Sequence, residues 1–368
     1  MSMKIGSIAG IDIKIHQTFI LFVFGLPLLI FFVQGAQDAI NLAVTLLILF
    51  SSVLFHEVGH ALMGRRFQIE TKEITLLPIG GMASMHEIPE EPKKEGLISI
   101  AGPFVSLLLA VIAYGLTIMV KAAPFNAFFE QVFILNLLLF GFNAFIPAIP
   151  LDGGRVFRAI LASRMSHLRA TMLSVRISQL IAMGMAIIGL IPNRFSNIWL
   201  VIIAVFIYVG ANAEGEQATQ RYLLKDITVE EIMASPILSV PTTMTCEDLL
   251  EFMRTQGHLR FPVTDEQGTY VGMVSLRDIR QLGPNRRCDV LVRDIMRRNI
   301  VTVDPSTPVF QAIIKMQEND VGSLLVRRSD EPDKILGILT RTNIMITIGI
   351  ETVRKGIPST SGTDAVRT

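Results

Sequence analysis

The segment Phe55-His56-Glu57-Val58-Gly59-His60 lies inside an apolar run from Asn41 to Met63 that reads as a helix. Side chains four apart on a helix stand one turn above the other, about 5–6 Å between Cβ atoms. His56 and His60 can therefore share one divalent ion, and zinc suits such ligands. Glu57 follows the first imidazole directly, which puts its carboxylate beside the ion rather than on it. There it can take a proton from water that the metal acidifies. A chance pairing of polar residues is the plain alternative. Ionisable groups are costly in a membrane-length apolar run, however, and three on one turn need a common partner. A dication supplies it.

A second constellation runs from Asn143 to Arg155, Asn-Ala-Phe-Ile-Pro-Ala-Ile-Pro-Leu-Asp-Gly-Gly-Arg. Pro147, Pro150 and the Gly153-Gly154 pair break the helix around Asp152 and free its carboxylate to point at a partner. Taken alone, such an aspartate is more often an interfacial residue than a ligand. With His56 and His60 it completes a two-histidine, one-carboxylate shell with a position left for water, a hydrolytic zinc arrangement.

The elements that must position these residues are membrane helices. The chain has 368 residues, 51% of them hydrophobic, and a mean hydropathy of +0.51, too apolar for an ordinary soluble protein. Residues 1–212 hold 14 Lys+Arg and 11 Asp+Glu, whereas residues 213–368 hold 19 and 21, so a membrane-embedded part precedes a soluble one. Six apolar runs, near 17–33, 39–63, 96–120, 125–149, 171–191 and 196–213, are each long enough to span, although Arg176 intrudes on the fifth. Lys4, Lys14, Arg65, Arg66, Lys72, Lys93, Lys94, Arg155, Arg158, Arg164, Arg169, Arg221 and Lys225 fall on one side, and only Lys121 and Arg194 on the other. The positive-inside rule then makes the N-terminus, the second and fourth loops and the C-terminal part cytosolic in a multi-pass protein of the cell membrane. Both metal motifs face that side. Met1 to His16 reads as a short strand without a cleavable signal.

The second loop carries Gly80-Gly81 within an extended stretch, either a re-entrant turn that only packs or a sheet edge able to hold an unwound peptide by β-augmentation. Residues Glu87 to Glu95 read as a solvated charged loop. His16 and His86 lack a partner at ligand spacing, and His167 and His258 read as solvated. The net charge of +1 gives no basic stripe for nucleic acid. The two cysteines, Cys246 and Cys288, both in the soluble part, fit a reducing compartment.

Residues 226–346 repeat internally. Asp226, Met233, Val240, Met253 and Val263 recur 63 positions later, and Gly272, Ser275 and Asp278 recur as Gly337, Thr340 and Asn343. Each unit reads as strand, helix, strand, strand, helix. Ser275 and Thr340 open helices whose free N–H groups suit phosphate, and Asp278 can accept from a ribose hydroxyl. Ser-x-x-Asp is equally a plain helix-capping pattern.

The pairing of His-Glu-x-x-His with a later Leu-Asp-Gly resembles the site-2 protease family of intramembrane zinc metalloproteases. The resemblance covers residues 1 to about 213. It implies that His56, His60 and Asp152 bind one zinc, that Glu57 is the general base, and that the bond cut lies in a transmembrane segment of another protein. Gly80-Gly81 resembles the family's membrane-associated edge strand, and Gly102-Pro103-Phe104-Val105-Ser106 its small-residue helix-packing motif. The family's asparagine before the first proline is Ala144 here, with Asn143 shifted by one, so Asn143 is carried as a catalytic candidate only on that shifted match. The repeat resembles a tandem pair of cystathionine-β-synthase (CBS) domains, which implies an adenine nucleotide (ATP, ADP or AMP) contacted by Ser275, Asp278, Thr340 and Asn343.

The expected fold is thus a polytopic α-helical membrane protein with short strands plus a soluble α/β CBS pair. Its expected parts are residues 1–213 (protease), 214–225 (linker), 226–284 and 285–350 (CBS domains) and 351–368 (disordered tail). The expected activity is regulated intramembrane proteolysis, with a transmembrane substrate, the bilayer, a nucleotide and a homodimer through the CBS domains as partners. The rivals are a CBS-gated transporter or channel and a non-catalytic scaffold, neither of which explains Glu57 beside paired ligands.

Overall fold

The computed structural model describes residues 2–78, 80–85, 91–120, 122–191, 197–282, 289–331 and 334–357. Two compact units, Met1–Ala218 and Thr219–Thr368, divide the chain.

The first unit opens with β1 (Ser2–Ile8) and β2 (Ile11–His16), followed by α1 (Gln17–Gln34), α2 (Ala36–Arg66), β3 (Thr71–Leu77), β4 (Gly80–Met85), α3 (Pro92–Met119), α4 (Ala123–Phe145), α5 (Asp152–Ala162), α6 (His167–Leu190) and α7 (Ile198–Leu224). The expected single strand at the N-terminus is a hairpin, because Ala9 and Gly10 both take positive φ and turn the chain. The sheet order is β1-β2-β3-β4, with β2 and β3 parallel and the outer pairs antiparallel. Its inward residues Ile11 and Ile74 pack on Val58 and Ala61 of α2, which seats the sheet against the turn that carries His56 and His60.

Among the described residues six helices are long and apolar enough to cross a membrane, namely α1, α2, α3, α4, α6 and α7. Their outward faces are greasy: Phe24, Phe32, Phe104, Phe125, Leu138, Leu180 and Trp199 all stand exposed. Exposed apolar area on that scale needs lipid. The protein is a multi-pass membrane protein.

Three expectations are revised here. The fourth span stops at Phe145, ahead of Pro147, and the chain re-enters a helix at Asp152, so α5 is a separate element that Asp152 opens. Residues 214–224 of the expected linker are helical, since Glu214-Gly215-Glu216-Gln217-Ala218 contains no proline and the helix simply continues. Of the expected tail, residues 351–354 complete α13, described below, and residues 358–368 lie outside the described residues.

The second unit contains α8 (Val229–Ile232), β5 (Val240–Pro241), α9 (Cys246–Gln256), β6 (Arg260–Thr264), β7 (Tyr270–Ser275), α10 (Leu276–Arg280), α11 (Val292–Ile295), β8 (Thr302–Val303), α12 (Val309–Glu318), β9 (Ser323–Arg327), β10 (Ile335–Thr340) and α13 (Arg341–Arg354). Two three-stranded sheets, β5-β6-β7 and β10-β9-β8, match the duplicated strand pattern. The repeats exchange their leading segments. Ala234 bridges Ile338 and Met273 bridges Arg297, so Val229 joins the core of the second repeat and Val292 that of the first. Each repeat is therefore completed by the other.

Candidate metal centre

His56 and His60 lie on the inner face of α2, 3% and 6% exposed. Asp152, at the first turn of α5, reaches them: its Oδ2 is 2.9 Å from His56 Nε2 and its Oδ1 3.3 Å from His60 Nε2. The two Nε2 atoms are 3.1 Å apart. The fold thus brings together three residues 4 and 96 positions apart in sequence.

Helix α3 orients this cluster. His60 Nδ1 donates to Ile98 O at 2.7 Å, and a carbonyl can only accept, so that nitrogen carries a proton and Nε2 is the nitrogen turned inward. His56 Nδ1 is 2.9 Å from Ser106 Oγ. Imidazoles held by their far nitrogen in this way are typical of metal ligands. Gly102 sits between these two supports. A Cβ there would lie 2.1 Å from His60 Nε2 and 2.7 Å from His56 Nε2, so only glycine leaves room at the ligand tips.

The donor set fits zinc. Four electron-rich atoms, the two imidazole Nε2 atoms and both Asp152 oxygens, face one another across gaps of 2.9–3.3 Å. That spacing is close to the edge, roughly 3.3 Å, of a tetrahedron with the ~2.0–2.1 Å bonds of zinc to nitrogen and oxygen. Acceptor atoms packed so closely repel unless a cation or a shared proton lies among them. Glu57 is half-buried on the same turn, within electrostatic reach of both histidines, Asp152 and Arg155. It stays outside the group formed by His56, His60 and Asp152.

Several residues fall differently from expectation. Asn143 lies within α4, and its side-chain amide donates to Leu139 O of the same helix. Glu95 is not in a solvated loop. It is 1% exposed in α3, bound to Arg158 of α5, and His167 lies 3.7 Å from its second oxygen instead of standing in solvent. His16 caps α1 by accepting from Thr18 N–H. His86 and Cys288 lie outside the described residues, and Cys246 is buried and free.

The roles of Gly102 and Ser106 escaped the sequence reading. The signal was present in the spacing of Glu95, Ser99, Gly102 and Ser106, which marks one small, polar face along an otherwise apolar helix.

In the CBS unit, Asp278 Oδ2 accepts from the Ser275 N–H and hydroxyl, and its Oδ1 accepts from Arg297 Nε at 3.0 Å. Asn343 caps Thr340 in the same way, without an arginine. Both predicted nucleotide segments are capping boxes in this state. Close by, the Arg260 guanidinium is pulled below its usual range by burial and by Arg341, with Arg297 and Arg277 adding to the effect and Asp278 opposing it. Positive charge from both repeats meets there in excess.

The CBS domain family matches residues 229–284 and 292–349, and Peptidase family M50 matches residues 44–125, which include both histidines. Zinc metalloprotease MJ0392 of Methanocaldococcus jannaschii is 32% identical over 356 residues, covering 95% of this chain and 96% of that protein. This chain belongs to the site-2 protease family of zinc metalloproteases. Stage IV sporulation protein FB of Bacillus subtilis is 27% identical over 58% of the chain and 75% of its own length. The solved structure of a site-2 protease from Methanocaldococcus jannaschii is 34% identical, with a TM-score of 0.47, covering 58% of this chain and 95% of that one. As a family member carrying a CBS pair, the chain is a zinc-dependent metalloendopeptidase embedded in the membrane.

Proposed function

We propose that this protease cuts a peptide bond inside a transmembrane segment of another membrane protein, and that adenine nucleotide on its CBS pair regulates the cut. The convergence of His56, His60 and Asp152 within the apolar helical unit carries the reading. A zinc ion held by those three residues supplies Lewis acidity for peptide hydrolysis. Glu57 takes the proton from the attacking water and returns it to the leaving amine. The substrate must unwind locally, since helical amides are shielded by their own hydrogen bonds. Among the described residues, strand β4 has only β3 beside it in the sheet, and it lies against α2, which supports its use as the holder of an unwound peptide.

In this reading residues 1–213 form the protease domain and residues 226–284 and 285–350 the two CBS domains, with the N-terminus and the CBS pair in the cytosol of a cell-membrane protein. The excess of arginine around Arg260 supports an anionic ligand. Exposed Met345, Ile346, Ile350 and Val353 on α13 support contact with a second copy.

Reconstitution with single-span membrane proteins tests the proposal. Wild type is expected to cleave one of them, zinc chelation to stop cleavage, and Glu57→Gln to lower it about 100- to 10,000-fold. Cleavage unchanged in Glu57→Gln ends the assigned mechanism. If ATP, ADP and AMP leave both cleavage and melting temperature untouched, nucleotide regulation fails.

A further inference from the structure

A buried ion network lies on the same face of α3 as the metal supports. Arg158 of α5 donates from Nε to Glu95 Oε1 at 2.7 Å, its Nη2 is 2.5 Å from the same oxygen, and its Nη1 donates to Glu214 of α7 at 2.7 Å. The Arg158 and Glu95 side chains are 3% and 0% exposed, and that of Glu214 is 20% exposed. Packing is close around them: a Cβ on Gly96 would lie 3.5 Å from the Ala159 Cβ.

A buried pair of this kind gives little net stability, because removing the charges from water offsets their attraction. What it does supply is a fixed geometry. Glu95, Ile98, Gly102 and Ser106 recur at helical spacing on α3. Ile98 and Ser106 set the two imidazoles, Gly102 leaves room for the ion, and Glu95 grips the helix that Asp152 opens. Asp152 and Arg158 are six residues apart on α5, about 9 Å along its axis. One helix therefore registers all three ligands.

We infer that Arg158 is a positioning residue for the metal: through Glu95 and Glu214 it locks α5 to α3 and α7, and so holds the Asp152 carboxylate at the histidine pair. The inference rests on the reading of His56, His60 and Asp152 as the zinc ligands. A guanidinium is required because its planar fork serves two carboxylates at once, which the single ammonium of lysine cannot reproduce.

The test uses the full chain in detergent and reads zinc retention against a competing chelator, the visible spectrum of the cobalt-substituted protein, and melting temperature. Arg158→Lys and Glu95→Gln are expected to release zinc about 10- to 100-fold more readily than wild type and to alter the cobalt spectrum. Leu46→Ala, a cavity in a separate cluster on α2, is expected to lower the melting temperature while keeping wild-type zinc affinity. Wild-type affinity and spectrum in Arg158→Lys overturn the inference, as does an equal loss of zinc in Leu46→Ala. Should neither Arg158→Lys nor Glu95→Gln fold, Glu214→Gln, which spares the Glu95 pair, carries the test: weakened zinc supports the inference and unchanged affinity overturns it. A wild type that binds no zinc removes the metal reading itself, whereas zinc held equally by wild type and Arg158→Lys removes only the role of Arg158.

Discussion

The membrane unit and the CBS unit each present polar residues that sequence spacing marks as ligands, yet they leave those residues in opposite states. Around His56, His60 and Asp152, every far-side atom is occupied and the near-side lone pairs are crowded onto one another at 2.9–3.3 Å. Around Ser275 and Asp278, both carboxylate oxygens already have donors from the chain itself. A site that leaves acceptor atoms facing each other is satisfied by a cation or by protons shared between them. A site whose donors and acceptors pair internally is complete without one, and a ligand there must compete with the cap. The CBS unit does gather positive charge, around Arg260, where Arg341, Arg297 and Arg277 act against Asp278.

The largest effect that can break this comparison comes from Gly102. In Gly102→Ala the new methyl would stand 2.1 Å from His60 Nε2, where the proposed ion would bind. Zinc per chain is expected to fall to background, with at least a 100-fold loss of affinity. Alanine favours a helix interior over glycine by about 1 kcal/mol, so lost helicity cannot account for lost metal. Stoichiometric zinc in purified Gly102→Ala would place the ion elsewhere and remove the contrast between the two units.

A smaller effect is expected from Ser106→Ala, which strips His56 Nδ1 of its partner but leaves the ligand in place. Zinc affinity should drop about 10-fold, with a chelator titration as the readout, and Ser106→Thr should restore most of it by returning a hydroxyl. Affinity unaltered in Ser106→Ala would mean that packing alone orients the ring.

How much of this was readable beforehand follows the same division. His56, Glu57 and His60 were legible because one helix fixes their spacing, and Asp152 because prolines and glycines broke the helix around it. The spans were legible from length and hydropathy, and the duplicated strands from their common offset. Glu95, Arg158 and Glu214 were not, since their meaning lies only in contacts across 56–63 residues, and a local reading gives charged residues near helix ends to solvent. Gly102 was visible as a small residue, but its purpose depends on where two imidazoles from another helix point. The bond from the Asn143 amide to Leu139 O was likewise not legible, since a motif match says nothing of where an amide finds its acceptor.

The smallest effect separates cap from ligand in the CBS unit. Asp278→Ala removes the acceptor for two Ser275 donors and the partly exposed pair with Arg297, whose side chain is 49% exposed and contributes little. The lost cap should cost about 1–2 kcal/mol, seen as a lower unfolding midpoint of the CBS transition in the full chain with no nucleotide present. Asn343→Ala should cost less, because its amide oxygen carries no charge and, among the described residues, no arginine leans on it. If Asp278 is a cap alone, the stabilisation that added nucleotide gives is the same in Asp278→Ala as in wild type. If instead the midpoint without nucleotide is unchanged while the nucleotide effect disappears, Asp278 is a ligand that the chain occupies only while the site is empty. The CBS motif then belongs with the metal ligands, and the two halves of the molecule are organised alike.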